Sequence, residues 1–196
     1  MQHIDKITDF LFEVGILSKT PRSGFFFLGS GEQSVAEHLN RVTYIGYVLC
    51  KMIPEADSAK VMQMCLFHDL AEARTSDLNY VHQKYAQANE ERALEDIAKS
   101  LPFGQEIKNL VEERNAGVTI ESKMAKDADR LEWILSLKEQ VDIGNTRAES
   151  WLPSAVKRVE TEQAKQIAEQ ILKTDSDHWW FGDKDNQWWI TRNKTN

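Results

Sequence analysis

The chain has 196 residues, of which 41% are hydrophobic and 28% are charged. This balance is typical of one folded globular domain and excludes a disordered chain. At this length folding buries roughly 70% of the surface of the unfolded chain, so a core can form without disulfides. The net charge of −7 argues against broad binding to a nucleic-acid backbone, although a local basic pocket can still bind a small phosphorylated ligand.

The first twenty residues lack the continuous apolar segment of a secretory signal, because charged residues such as Asp5 and Glu13 interrupt it. The longest weakly polar run, 42–50, is far shorter than the ~20 residues that span a bilayer. Cys50 and Cys65 are an isolated pair in apolar sequence, which favours free thiols over a disulfide. We therefore expect a cytoplasmic protein that does not enter a membrane.

Apolar residues recur at helical spacing along almost the whole chain, which predicts an all-α fold. A first amphipathic helix presents the apolar residues Ile4, Ile7, Leu11 and Val14 and stops before Pro21. Ser34 and Glu37 resemble a capping box that opens a second helix, which ends at Pro54. The remaining helices are predicted near 57–73, 84–100, 104–115, 120–143 and 153–174.

The last twenty residues differ in composition from the rest of the chain. They carry four of the six tryptophans, at positions 179, 180, 188 and 189, among aspartate, lysine and asparagine. So many aromatic rings are costly to leave in water. We expect a single domain over residues 1–174 and a tail over 175–196 that docks on this domain or on a second subunit, with a lid over the active site as the alternative.

The residues best suited to chemistry are His38, the adjacent His68 and Asp69, and Glu72 one turn later. If the helix predicted at 57–73 is continuous, the last three side chains point to one side of it. Imidazole and carboxylate together suit divalent transition metals. Taken alone, a His-Asp pair on a helix is more often structural than metal-binding, so the surrounding motifs decide the interpretation.

Three segments resemble the signature of the HD-domain metal-dependent phosphohydrolases. They are SVAEH at 34–38, CLFHDLAEA at 65–73 and KDADRLE at 126–132. The branch with the bacterial 5'-deoxynucleotidases is more similar still, because PRSGF at 21–25 precedes the first motif and Asp77 follows Glu72 by five residues. The resemblance implies an HD-domain helical bundle over roughly residues 20–135.

Carried over to this chain, the resemblance implies that His38, His68, Asp69 and Asp129 bind one divalent transition metal, namely Mn, Co, Fe, Ni or Zn. Asp127 competes with Asp129 for the fourth position, since both lie on one predicted helix and hydrophobic periodicity does not separate them. The family pattern favours Asp129, because its aspartate lies three residues before the position of Glu132.

The same resemblance implies roles for four further residues. Glu72 positions water or transfers its proton, and Asp77 is a second acid/base or a sugar contact. Arg22 binds phosphate through paired donors. Phe25, which stands where the family often has tryptophan, keeps a ring that can stack on a base.

The function expected from this resemblance is removal of the 5'-phosphate from nucleoside monophosphates, with deoxynucleotides preferred. The alternatives are a deoxynucleoside triphosphate triphosphohydrolase, a phosphohydrolase of a modified nucleotide, and a nucleotide-sensing module without turnover. The expected partners are a small nucleotide and a second copy of the chain in a homodimer, with no nucleic-acid polymer and no membrane.

Overall fold

A computed structural model describes residues 3–186, 188–189 and 192, and the regular elements of this part of the chain are helices. The helices are α1 (Ile4–Val14), α2 (Phe25–Leu28), α3 (Val35–Met52), α4 (Ser58–Phe67), α5 (Glu72–Thr75), α6 (His82–Tyr85), α7 (Glu90–Ser100), α8 (Gly104–Ala116), α9 (Ile120–Asp142), α10 (Thr146–Val156), α11 (Glu162–Lys173) and α12 (His178–Phe181). A 3-10 turn, Gly15–Lys19, follows α1. Within the described ranges the sole β-type pairing is a single bridge between Pro21 and Ser34, so the all-α prediction is confirmed.

Helix α9 is the centre of the bundle. It packs against α3, α4, α8, α10 and α11, and its residues Met124, Leu131, Ile134 and Leu137 are fully buried. A second, smaller core brings α1 and the 3-10 turn against α3, α7 and α8. The bundle therefore holds α3, α4 and α9 side by side, which positions the residues described below.

The start of α3 has the structure that the sequence predicts. The Ser34 side chain accepts a hydrogen bond from the Glu37 amide, and the Glu37 carboxylate accepts one from the Ser34 amide. These two bonds form a complete capping box, which fixes the first turn of the helix.

The helix predicted over 57–73 is shorter in the structure. Helix α4 ends at Phe67, and tight turns with bonds from Leu70 N to Phe67 O and from Glu72 N to Asp69 O connect it to α5. His68 and Asp69 therefore lie in a turn and not on a continuous helix. The apolar pattern continues through this turn because Leu70 is buried, so periodicity alone did not reveal the break.

Two other predicted helices are each divided in two. The segment 84–100 forms α6 and α7, and the Asn89 side chain caps α7 by accepting from the Arg92 amide. The segment 153–174 is also wrong as one helix, because α10 contains Pro153 and α11 starts afresh at Glu162. A proline favours the first turn of a helix, but here it follows two turns of α10 that begin at a cap by Asn145.

The described part of the tail touches the domain at few points. The Ser176 amide donates to Asp142 at the end of α9, and Asp175 lies 4.0 Å from Lys138. Trp180, Phe181 and Trp189 pack on one another at ring-centroid distances of 5.1 to 5.6 Å. Residues 187, 190–191 and 193–196 of the predicted tail lie outside the described residues, and docking of the tail stays a prediction.

Within the described ranges, no helix has both the length and the apolar content that crossing a bilayer requires.

Candidate functional site

Two histidines and two aspartates meet where α3, α4 and α9 pack together. The Nε2 atom of His38 lies 3.4 Å from Nε2 of His68, 3.6 Å from Oδ2 of Asp69 and 3.3 Å from Oδ1 of Asp129. The Nε2 atom of His68 is 3.3 Å from the same Asp69 oxygen and 3.9 Å from the same Asp129 oxygen. We call this group the His-Asp cluster.

Close packing of α3 on α4 brings the two histidines together. His38 lies in the first turn of α3, and His68 caps the end of α4. Gly46 permits the approach, since a Cβ at this position would lie 2.7 Å from Sγ of Cys65 on α4. The turn after Phe67 then directs Asp69 towards the histidine rings.

The hydrogen bonds of the histidines leave both Nε2 atoms facing the cluster. Nδ1 of His68 lies 2.9 Å from the carbonyl oxygen of Cys65, which can only accept, so this nitrogen carries the proton. Nδ1 of His38 lies 2.7 Å from a carboxylate oxygen of Glu132. Rings held in this way direct their Nε2 atoms inward, and metal ligation uses the lone pair of this atom once its proton is released.

The cluster is therefore suited to a metal ion. His38, His68 and Asp69 each offer a ligand atom, and these atoms lie within 4.8 Å of one another. Imidazole nitrogen and carboxylate oxygen together form a donor set for divalent Mn, Fe, Co, Ni or Zn. The group of residues can hold one such ion.

The electrostatics of the cluster also favour a cation. Burial lowers the pKa of His68. Burial and the charge of Arg22 lower the pKa of His38, but hydrogen bonds to Asp129 and Glu132 outweigh them and raise it to about 9. Burial raises the pKa of Asp129, and its contacts with both histidines outweigh this effect, so the net pKa is well below the ordinary value. Asp129 is thus an anion that attracts positive charge to the cluster.

Glu132 is a further functional candidate. In the sequence it served only as the reference position from which Asp129 was chosen. Its side chain is fully buried and accepts hydrogen bonds from His38, Gln33, Arg41 and Ser136. Burial raises its pKa, but the bond to His38 and the charges of His38 and Arg41 bring it down to about 2. The sequence carried a signal for this group, because Arg41 follows His38 by one helical turn and Glu132 follows Asp129 by one.

Asp127 points away from the His-Asp cluster. Two residues apart on α9, Asp127 and Asp129 face roughly opposite directions. The buried Asp127 carboxylate accepts from the Glu160 amide at 2.9 Å, and from the amide and hydroxyl of Thr161 at 2.7 and 2.8 Å. It therefore holds the two residues that precede α11, and these bonds occupy its oxygens.

Asp129 faces the cluster and has one further cationic partner. Its Oδ2 atom accepts a hydrogen bond of 2.6 Å from Arg114 on α8. Its side chain is 30% exposed, so the cluster opens towards solvent beside this residue.

Arg22 and Asp77 lie beside the cluster. Nη1 of Arg22 is 3.4 Å from Asp69 and 3.8 Å from Asp77. Asp77 also accepts from the amide and hydroxyl of Ser23 at 2.9 and 3.2 Å, which ties the loop of Arg22 to the turn after α5. The guanidinium is thus held at the edge of the cluster.

Glu72 has the chemistry of a proton donor or acceptor. Its Oε2 atom is buried and has no hydrogen-bond partner among the described residues. Burial, with the negative charges of Asp69 and Asp77, raises the pKa of Glu72 to about 9. A carboxyl group in this state can carry a proton at neutral pH.

The ring of Phe25 is buried in the bundle. Its side chain belongs to the main core, is 8% exposed and packs edge-to-face on Trp133 with ring centroids 5.6 Å apart. An ideal Cβ on Gly31 would lie only 2.9 Å from the ring. The structure thus leaves Phe25 little surface for stacking on a base.

The fold and the cluster can be compared with known proteins. The HD domain family model matches residues 14–172. A protein from Danio rerio named 5'-deoxynucleotidase HDDC2 is 27% identical over 146 residues, which are 71% of this chain and 72% of that protein. A conserved hypothetical protein from Pyrococcus furiosus is 28% identical with a TM-score of 0.69, over 85% of this chain and 99% of that one. An HD-domain phosphohydrolase from Listeria innocua, 18% identical over 94% of each chain, shares the fold with a TM-score of 0.66. The family is the one whose signature the sequence carries, and the chain belongs to the HD domain family.

Proposed function

We propose that His38, His68, Asp69 and Asp129 bind one divalent transition metal, either Mn, Co, Fe, Ni or Zn. The inward Nε2 atoms and the two carboxylate oxygens, all within 3.9 Å of a histidine nitrogen, support this ligand set. Asp127 already accepts hydrogen bonds from Glu160 and Thr161, and this supports Asp129 as the fourth ligand.

We propose that the protein is a metal-dependent phosphohydrolase that releases the 5'-phosphate of deoxynucleoside monophosphates. The observation that carries this proposal is the position of Arg22, a phosphate-binding type of side chain, 3.4 Å from the cluster carboxylate of Asp69. A metal ion in the cluster would supply an activated water nucleophile and polarise a phosphoryl oxygen. The name of the Danio rerio relative supports the choice of a deoxynucleotide.

Arg22 orients the phosphate in this reaction. Its guanidinium lies between the carboxylates of Asp69 and Asp77, which fix its direction but leave further N–H donors for a ligand. Paired donors match the geometry of phosphate oxygens. Arg22 therefore holds the substrate phosphate at the His-Asp cluster.

Glu72 and Asp77 act on protons and on the sugar. Because the Glu72 carboxyl is buried and has a raised pKa, it can accept a proton from water or give one to the departing 5'-oxygen. Asp77 lies in the turn beyond Glu72 and beside Arg22, where it would accept a hydrogen bond from a sugar hydroxyl.

The test is a phosphate-release panel on metal-stripped protein reloaded with Mn, Co, Ni, Zn or Mg. The substrates are ribo- and deoxynucleoside mono-, di- and triphosphates. We expect inorganic phosphate from monophosphates, with the 2'-deoxy forms preferred. Release of tripolyphosphate from triphosphates with inert monophosphates would identify a triphosphohydrolase. Binding without any turnover would identify a sensing module.

We also propose that the protein is a homodimer in the cytoplasm. An apolar groove of about 750 Å³ runs between α1, α3 and α4, and side chains at its rim, including Leu11, Tyr44, Tyr47 and Leu66, are between 48% and 67% exposed. Such a continuous apolar surface favours burial against a second copy. Sedimentation of the wild type and of Tyr44→Glu tests the dimer, since a charge in the groove should produce monomers.

The location in the cytoplasm is supported by Cys50 and Cys65, which are buried and form no disulfide, as is usual in a reducing compartment.

A further inference from the structure

A second cavity lies between α9 and α10, and Trp133 of α9 is part of its lining. Its volume is about 360 Å³, within the range of small-ligand sites. Three aromatic side chains line it, together with two hydroxyl groups and one guanidinium, and these residues are Tyr80, Trp133, Trp151, Ser150, Ser154 and Arg158. We call it the aromatic cavity.

Two residues that line the aromatic cavity, Trp133 and Tyr80, are close to residues of the proposed phosphate site. Trp133 follows Asp129 by four residues on α9, which places it one turn along the same face, about 6 Å away. The same ring contacts the loop of Arg22, because a Cβ on Gly24 would lie 2.9 Å from it. Tyr80 follows Asp77 by three residues. Trp133 thus connects the lining of this cavity to the loop that carries Arg22.

The lining of the aromatic cavity suits a heteroaromatic ring. Trp133 and Trp151 are tilted by 41° with centroids 6.4 Å apart, so they do not stack face to face on each other. Tyr80 is 65% exposed at the rim. Planar bases stack on such rings, and the hydroxyl and guanidinium groups can donate to ring nitrogens and carbonyl oxygens.

Another cavity near the cluster is less suited to a base. It has a volume of about 190 Å³, and its lining includes the carboxylates of Glu72, Asp77 and Glu90 but no aromatic side chain. Carboxylates favour contacts with hydroxyl groups over stacking. The lining of this cavity therefore suits a sugar or water better than a base.

We propose that the aromatic cavity binds the base of the nucleotide and that Tyr80 and Trp151 determine affinity for it. The inference rests on the proposed function for the identity of the ligand. In this proposal the base stacks on the rings of the aromatic cavity and not on Phe25, the residue to which the sequence resemblance assigned this role. Stacking tolerates any base, so we expect broad base preference with tighter binding of the larger purines.

The test compares two substrates that differ only in the base, 2'-deoxyadenosine 5'-monophosphate and 2-deoxyribose 5-phosphate. Tyr80→Ala and Trp151→Leu should each raise KM for the nucleotide about tenfold and leave kcat/KM for the sugar phosphate within about twofold. Tyr85→Ala and Trp179→Leu are matched controls, because these exposed rings lie outside the cavity, and they should change neither value. Equal losses on both substrates, or a wild type that does not distinguish them, would overturn the proposal.

A binding experiment separates this inference from the proposed function. Saturation-transfer NMR with 2'-deoxyadenosine, which has no phosphate, should show binding to the wild type and about tenfold weaker binding to Tyr80→Ala. Tyr80 is exposed, so this variant should fold even where Trp151→Leu does not. Binding of the nucleoside without phosphate release from any substrate would reject the function and retain the cavity. Phosphate release without any loss of nucleoside binding in Tyr80→Ala would reject the role of the cavity and retain the proposed function.

Discussion

Glu132 and His38 form a fully buried hydrogen-bonded pair, in which a carboxylate oxygen of Glu132 lies 2.7 Å from Nδ1 of His38. Arg41 binds the other oxygen of the same carboxylate, with its Nε and Nη2 atoms at 2.9 and 2.7 Å. A buried carboxylate in this position fixes the orientation and the tautomer of the ring. The pair thus explains how His38 presents Nε2 to the cluster.

The first prediction concerns metal affinity in Glu132→Ala. Loss of the carboxylate should free the His38 ring and weaken metal binding by about 10- to 100-fold, measured by competition with a chelator. Glu139→Ala is the matched control, because Glu139 also binds Arg41 but is half-exposed and does not contact His38. Unchanged affinity in Glu132→Ala, or equal losses in both variants, would contradict the positioning role.

The second prediction separates Asp129 from Asp127. Asp129→Ala should lose bound metal and keep a folded structure, because one of four ligands is removed. Asp127→Ala should keep the metal but lower the free energy of unfolding by about 2 kcal/mol, because the amides of Glu160 and Thr161 lose their acceptor. Elemental analysis and urea unfolding measure the two effects. A metal-free Asp127→Ala protein would reverse the assignment.

These two aspartates also mark the limit of the sequence analysis. The sequence was sufficient for the all-α fold, for the capping box at Ser34 and for the family, since each rests on local spacing. The end of α4 at Phe67 depends on how Leu70 packs, and the choice between Asp127 and Asp129 depends on where α11 begins. Both are tertiary contacts, so hydrophobic periodicity along one helix could not predict them.

The third prediction concerns Glu72→Gln, which keeps the size of the side chain and removes its acid–base chemistry. We expect the metal and the nucleotide to remain bound while kcat falls by about 10²- to 10⁴-fold, as for a positioned acid or base. Glu91→Gln, an exposed position on α7, should have wild-type kcat. A Glu72→Gln enzyme with normal kcat would remove this residue from the reaction.

The fourth prediction concerns Arg22→Ala. Removal of the guanidinium should raise KM for the nucleotide more than it lowers kcat, because the side chain binds phosphate and transfers no proton. Arg92→Ala, an exposed arginine on α7, is the control and should leave both constants unchanged. Steady-state kinetics would contradict the role of Arg22 if kcat fell and KM stayed the same.

The fifth prediction is a pH dependence at the start of the tail. Burial raises the pKa of Asp142, but hydrogen bonds from Lys138 and from the Ser176 amide outweigh it, so the net pKa is lowered. Because the folded pKa is below the ordinary 3.8, the stabilisation is complete above pH 3.8 and is lost as the pH falls through the folded value. Asp142→Asn should therefore have a lower Tm than the wild type near neutral pH, and this difference should shrink in acid. The exposed Asp185→Asn variant should show no such difference, and a gap that is constant with pH would contradict the account.

The most direct test of the central claim is a metal titration of the stripped protein, with phosphate release from a 2'-deoxynucleoside monophosphate as the readout. The account predicts that stripping abolishes release, and that the rate rises with added metal and saturates at about one ion per chain. Undiminished release from the stripped protein, or release that does not depend on the metal bound to the His-Asp cluster, would contradict it.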